Sequence, residues 1–442
     1  MPKKSLQVIT LGCSKNTVDT EHLLAQVQDD YVIVPEGLTD AEVDYLLLNT
    51  CGFIGDAKEE SVQAVFDAVD RKNRGLAGKI FVFGCLSQRY MDQLPTLIPE
   101  VDGWFGARDL APVVKALGGT MKPERESRRC RTGRRGAAYA YLKISEGCDR
   151  RCSYCAIPFI RGAHRSVPIE TLVEEARGLA AEGVRELVLI AQDTTYYGLD
   201  LYGRRALAEL LQRLSEVDGI EWLRIHYSYP AGFPEDVLEQ MAVNPKVCRY
   251  MDIPLQHVAD KVLDNMHRHV DGAWTRELIR RMREKVPGIV LRTTMIVGHP
   301  GEGRKEFLEL LDFVREAKFE RLGAFKYSEE EGTWGAENLR DSVTKKTKQS
   351  RLSELMELQS GISFAYNQSR IGSEVRVLID DLGDGGVFVC RSEFESPEVD
   401  GEILVRYSEA MGREPEEMIG RFIRIRVTEA DEYDLAGEYL GE

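Results

Sequence analysis

The sequence predicts an α/β multidomain protein: an N-terminal domain with a parallel α/β sheet, a partial (β/α)6 barrel, and a small C-terminal antiparallel β-barrel of OB-like kind. Three observations predict it. Near-continuous apolar strand runs alternate with helical periods over residues 1–118 and again over 138–330, the pattern of parallel sheets covered on both faces. Six βα units fit the second stretch, fewer than the eight in the ~250 residues of a full barrel. Residues 371–442 carry short alternating runs separated by turn signals such as Asp384-Gly385-Gly386. At 442 residues the chain exceeds one core. The divisions fall at 1–118, a linker 119–137, 138–370 with a bridging helix, and 371–442.

In the first domain Leu6–Leu11 ends in Gly12-Cys13, Tyr45–Thr50 ends in Cys51-Gly52, and Ile80–Gly84 ends in Cys85. Between the last two, Val62, Val65, Phe66 and Val69 fall at helical spacing and predict an apolar helix face. Ligands of parallel sheets sit beyond the carboxyl ends of the strands, and all three cysteines stand at that edge. Three thiols at equivalent strand ends point to a shared metal cluster, since cysteine is kept chiefly for its reactivity.

Residues 121–135 lack an apolar period and carry Lys122, Arg125, Arg128, Arg129, Arg131, Arg134 and Arg135 against two acids, which reads as a solvated hinge. The barrel strands are expected at Tyr141–Ile144, Leu187–Ala191, Trp222–Tyr227, Tyr250–Ile253, Val290–Val297 and Leu322–Lys326. Polar segments follow several of them: Gln192-Asp193-Thr194, His226-Tyr227-Ser228, Pro254-Leu255-Gln256-His257 and Gly298-His299-Pro300-Gly301-Glu302. Barrel active sites lie at such ends. Glycines opening a helix can bring backbone N–H groups near a ligand carboxylate or ribose, which makes Gly298, Gly301 and Glu302 candidate binding residues. His226 and His257 read as structural. Thr344 to Ile371 predicts one long polar helix. Strands follow at Val375–Ile379, Val387–Val389, Ile403–Val405 and Phe422–Val427.

The chemistry centres on Gly147-Cys148-Asp149-Arg150-Arg151-Cys152-Ser153-Tyr154-Cys155. A Cys-x3-Cys-x2-Cys run lets Cys148, Cys152 and Cys155 hold three corners of one cubic iron–sulfur cluster. No fourth cysteine follows before Cys248, so one iron stays open, and open positions are where metal chemistry happens. Zinc motifs instead pair Cys-x2-Cys with a second distant pair. Tyr154 supplies an apolar shell that limits water and tunes the cluster. Cys130, Cys248 and Cys390 fall outside either triad.

Nine cysteines with no export signal argue for reduced thiols and a cytoplasmic location, and no stretch is long and apolar enough for a membrane span. Most of the net charge of −15 sits in the last module, where residues 371–442 hold 19 Asp and Glu against seven Arg and no Lys. Such a surface repels phosphate backbones and suits a basic partner.

The cysteine spacing resembles that of radical S-adenosylmethionine enzymes, whose open iron chelates the amino and carboxylate groups of S-adenosylmethionine. The order of a three-cysteine domain, that barrel and a small C-terminal barrel called TRAM resembles the methylthiotransferases over essentially the whole chain. The resemblance implies two four-iron, four-sulfur (4Fe-4S) clusters, an auxiliary one on Cys13, Cys51 and Cys85 and a radical one on Cys148, Cys152 and Cys155. Tyr154 matches the aromatic that the family usually places before the last cysteine, and with Gln192, Asp193, Gly298, Gly301 and Glu302 at the strand ends it makes up the expected cofactor-binding set. Gly12-Cys13-Ser14-Lys15-Asn16, Asn49-Thr50-Cys51-Gly52-Phe53-Ile54 and Ala191-Gln192-Asp193-Thr194 look like the branch that methylthiolates the β-carbon of an aspartate in protein twelve of the small ribosomal subunit. The alternative branch modifies a tRNA adenosine beside the anticodon and usually has Gln after its first cysteine. Ser14 stands where proline is frequent, and His299 where an aromatic is common. The expected partners are a basic ribosomal protein and an external electron donor, with no direct RNA binding.

Overall fold

The computed structural model describes residues 3–122, 129–131 and 137–442. The first module is a parallel sheet of β1 (Lys4–Thr10), β2 (Tyr31–Val34), β3 (Val43–Thr50), β4 (Ala77–Gly84) and β5 (Gly103–Trp104), in the order β2-β1-β3-β4-β5. Helices α1 (Ser14–Val27) and α2 (Gly55–Asn73) cover opposite faces, so the central strands are buried on both sides, Leu46, Leu47 and Leu48 completely. The expected apolar face of α2 is corrected in one place. Val65 is fully buried, but Phe66 lies one residue further round the helix and is about half exposed.

The second module is an open six-stranded parallel sheet of β6 (Tyr139–Lys143), β9 (Glu186–Ile190), β10 (Trp222–Ile225), β11 (Val247–Asp252), β12 (Val290–Val297) and β13 (Arg321–Lys326), with a short ribbon, β7 (Ser145–Glu146) and β8 (Arg165–Ser166), beside the first strand. Hydrogen bonding runs β13-β12-β11-β10-β9-β6 without closing, the partial barrel that the strand count predicts. Its core joins sheet residues such as Leu187, Leu189 and Met251 to helical Leu210, Leu278 and Phe307. The 25-residue helix Lys345–Ser369 packs on β13 and leads into the last module.

That module is a closed five-stranded barrel of β14 (Glu374–Gly383), β15 (Val387–Ser392), β16 (Ile403–Arg406), β17 (Phe422–Ala430) and β18 (Leu435–Gly441). It is not wholly antiparallel: β16 and β18 pair in parallel, and that pairing closes the barrel and leaves no free edge. Arg224 of β10 donates to Glu186 of β9 at 2.6 Å, and the same carboxylate meets Arg391 of β15 at 2.8 Å, a buried network that docks the module on the barrel.

The linker does not behave as a solvated hinge over its described part. Arg129 and Arg131 are more than nine-tenths buried. Arg129 donates to Glu21 of α1, to Glu175 of the barrel at 3.0 Å and to the Tyr141 carbonyl, so it pins the first module to the second. Paired acids on both sides make burying the cation tolerable. Arg125, Arg128, Arg134 and Arg135 lie outside the described residues. Cys130, Cys248 and Cys390 are buried among apolar side chains of three different clusters.

Candidate functional site

Parallel strands bring the first triad together. β1, β3 and β4 run side by side, so the residues following them share one sheet edge, and there stand Cys13, Cys51 and Cys85. The turns are tight. Gly12 has φ +92° and a Cβ on it would lie 2.7 Å from Cβ of Cys51; Gly84 has φ +106° and its Cβ would lie 2.6 Å from the Thr50 carbonyl oxygen. Burial pushes the Cys85 thiol up to about 12, and the neighbouring Cys13 and Cys51 add to the rise; Cys51 is raised for the same reasons.

The second triad occupies the loop after β7. Gly147 has φ +78°, and an added Cβ would lie 2.1 Å from the Ala163 carbonyl oxygen, so only glycine lets the ribbon close over the loop. The Cys148 amide donates to the Gly162 carbonyl at 3.0 Å, Ser153 N to Met266 O at 3.0 Å and Gly335 N to Ser153 O at 2.7 Å. Burial raises the thiols of Cys148, to about 12, and of Cys155, each also feeling Cys152. Thiols buried in this way keep their protons until a metal displaces them. Among the described residues no three His, Cys, Asp or Glu meet on a single ion.

Charged and aromatic side chains that the spacing arguments missed surround both triads. Arg268 donates to Cys152 Sγ at 3.5 Å and sits 4.2 Å from the Tyr229 ring, whose hydroxyl is 3.7 Å from the same sulfur. Arg150 covers that ring at 4.1 Å and pairs with Asp193 at 2.8 Å. Arg161, on the short helix that follows Cys155, crosses to the other triad. Its Nε donates to Cys85 Sγ at 3.2 Å, Nη1 to Asp19 at 2.6 Å and Glu146 at 3.2 Å, and Nη2 to Asn16 Oδ1 at 2.6 Å. Lys143 bridges Asp19 and Glu146 beside it. Burial opposes ionisation of Glu146, but Lys143 and Arg161 outweigh it and hold the carboxyl near 2. One network of fixed charge thus joins the loop of the second triad to a sulfur of the first.

The expected binding residues divide. Tyr154 is partly buried beside Arg268, and desolvation of its hydroxyl raises that group well above the ordinary value. Gln192 donates to Glu146 at 2.8 Å, and Asp193 accepts from the Thr195 amide and hydroxyl as well as from Arg150, so both brace the loop. The turn from Gly298 to Glu302 is held by its own carboxylate. Glu302 accepts the Gly298 amide at 2.7 Å and Arg351 at 2.7 Å, with His257 Nε2 at 3.5 Å. Gly298 and Gly301 have φ +76° and +96°, a backbone that favours glycine, and a Cβ on either would also displace the Lys348 or Asn265 side chain, so the fold accounts for these glycines without a ligand. His299 serves as an aromatic: it packs edge-on at 4.8 Å from Tyr327 and 6.3 Å from Tyr154, and burial lowers its pKa to about 4. His226 bonds Ser396 of the last module at 2.7 Å.

Three family models match the chain. Residues 5–106 match Uncharacterized protein family UPF0004, residues 142–314 the Radical SAM superfamily, and residues 371–440 the TRAM domain. Proteins named ribosomal protein uS12 methylthiotransferase RimO resemble it throughout. The protein from Flavobacterium johnsoniae is 50% identical over 99% of this chain and 98% of its own, and that from Bacteroides thetaiotaomicron 47% over the whole of both. Among solved structures, the radical S-adenosylmethionine methyltransferase TsrM from Kitasatospora setae, with cobalamin and a [4Fe-4S] cluster bound, superposes with a TM-score of 0.54 at 13% identity, covering 95% of this chain and 85% of that one. At that identity the likeness is one of fold. With relatives near half identity from end to end, and with both thiol triads at strand or ribbon ends, the chain belongs to the RimO family of radical S-adenosylmethionine methylthiotransferases.

Proposed function

We propose that this protein inserts a methylthio group on the β-carbon of an aspartate in ribosomal protein uS12, with a 4Fe-4S cluster on each triad, S-adenosylmethionine and an external electron donor. The observation that carries it is the Arg161 bridge, which ties Cys85 to the helix following Cys155 and so keeps the two triads at one mouth between first module and barrel. Bound there, the clusters and S-adenosylmethionine supply what side chains lack: a radical able to take hydrogen from an unactivated carbon, and a source of sulfur and methyl.

The residues of the chain hold, orient and exclude water. Cys148, Cys152 and Cys155 are the ligands in the barrel and Cys13, Cys51 and Cys85 those of the first module. Tyr154, Tyr229 and Arg268 wall off the first of these sites, Arg268 and Arg150 offsetting negative charge on its sulfurs. Gln192 and Asp193 hold Glu146 and Arg150, while Glu302 shapes the turn at Gly298 and Gly301 that borders the ligand. A rigid mouth of this kind would hold the reacting groups in a fixed orientation once they are bound. The acidic last module favours a basic protein over tRNA.

Anaerobically reconstituted protein, a chemical reductant and S-adenosylmethionine should yield 5′-deoxyadenosine and a methylthio mass gain on uS12. A gain confined to tRNA would sink the choice of substrate. Formation of no 5′-deoxyadenosine would reduce the protein to an electron carrier.

A further inference from the structure

We propose that the ammonium group of Lys15 holds the side-chain carboxylate of the substrate aspartate, an assignment that rests on the aspartate-modifying reading above. Many of the buried cations are matched by carboxylates: Lys143 with Asp19 and Glu146, Arg161 with the same two acids, Arg292 with Asp252 and Lys348 with Asp341. Lys15 is not, and whereas Arg268 and Arg71 are held by hydrogen bonds to backbone carbonyls and other polar atoms, Lys15 has an aromatic face. It is only 8% exposed, and among the described residues no carboxylate pairs with it. Its ammonium rests instead on the face of Tyr227, Nζ 2.9 Å from the ring centroid. A ring face recovers part of the lost hydration of a cation without neutralising it, so one opposite charge is still wanted.

The position suits a substrate. Lys15 lies in the first turn of α1, two residues after Cys13, and Tyr227 lies just beyond the carboxyl end of β10. The cation therefore stands where the auxiliary triad meets the barrel mouth, the place an aspartate must enter to be reached from both. Tyr227 keeps a left-handed backbone, φ +58°, held by its N–H donating to the Asp252 carboxylate at 2.9 Å and by its carbonyl accepting from Thr194 N at 3.1 Å. Such strain in a bulky residue persists where a position is functional. Asp252 itself is committed to Arg292 and the Tyr227 amide, which leaves the ammonium for an incoming acid. An aspartate held through its carboxylate presents the adjacent β-carbon in one orientation. The S-adenosylmethionine carboxylate is the other acid within the chemistry, and the experiment separates the two.

The test measures affinity of the reconstituted enzyme for uS12 and for uS12 with the modified Asp→Asn, alongside affinity for S-adenosylmethionine. Wild type is expected to prefer the aspartate form by about tenfold or more, as a desolvated charge pair implies. Lys15→Met should bind both forms within about twofold of each other while keeping iron content, and Lys15→Arg should retain part of the preference. Equal wild-type affinity for the two forms overturns the proposal without any variant. So does a Lys15→Met enzyme that keeps the preference, or one whose loss falls on S-adenosylmethionine instead. If wild type leaves uS12 unmodified, the aspartate-modifying reading itself fails and takes this assignment with it.

Discussion

Replacing Arg161 with Met removes the guanidinium that links the two thiol triads. It makes hydrogen bonds to four side chains, at 3.2 Å to Cys85, 2.6 Å to Asp19, 3.2 Å to Glu146 and 2.6 Å to Asn16, and only 2% of its surface is exposed. Removing one partner of a buried ion pair costs about 3–5 kcal/mol. Lys143 still faces Asp19 and Glu146, so the lower end applies, about 3 kcal/mol. For a domain of this size that lowers the melting midpoint by roughly 6–12 °C. Cys85 also loses the guanidinium that offsets charge on its sulfur, so the auxiliary site should load poorly while the barrel loop keeps its own ligands. Calorimetry and iron analysis after anaerobic reconstitution read both effects: about eight irons per chain for wild type, falling toward about four in the variant. Arg161→Lys should fall between. A variant that melts within a degree of wild type and binds the same iron would refute the reasoning.

Other outcomes follow from the same geometry. Cys148→Ala should abolish 5′-deoxyadenosine formation, whereas Cys51→Ala should keep it and lose methylthio insertion; product analysis by mass spectrometry reads both, and equal loss in folded proteins would count against separate roles. Gly147→Ala meets the Ala163 carbonyl at 2.1 Å from a backbone with φ +78°, so the loop must shift and about half the reconstituted iron should be lost, measured per chain. Burial lowers the pKa of His226 from 6.5 to about 3. The unfolded chain then binds the extra proton between those values, so stability is complete above pH 6.5 and falls as pH drops toward 3, by up to about 1.4 kcal/mol per pH unit. His226→Gln should flatten that part of the stability curve in urea titrations, and an unchanged slope would contradict it.

Legibility followed distance along the chain. All six barrel strands and both cysteine triads were evident because apolar alternation and the residues ending each strand are local properties. Short strands were not: β2 and β5 have few residues to show a period, and β18, with the sequence Leu-Ala-Gly-Glu-Tyr-Leu-Gly, is a strand chiefly because it closes a barrel. Arg161, Arg268, Tyr229 and Lys143 carried no motif of their own. The linker arginines read as solvated because the segment lacks an apolar period and offers only two acids for seven cations, yet Arg129 finds Glu21 108 residues away.

What the sequence alone determined is which thiols end which strands, since a strand run followed by Gly-Cys or Cys-Gly carries its own placement relative to a parallel sheet. No contact is required to read that order. Tertiary structure decided which charges stand between the triads, that the Lys15 ammonium meets a ring face in place of a carboxylate, and which histidine serves as an aromatic. Those outcomes depend on side chains tens to hundreds of residues apart being desolvated together, and the cost of burying a charge is set by whatever folding brings beside it.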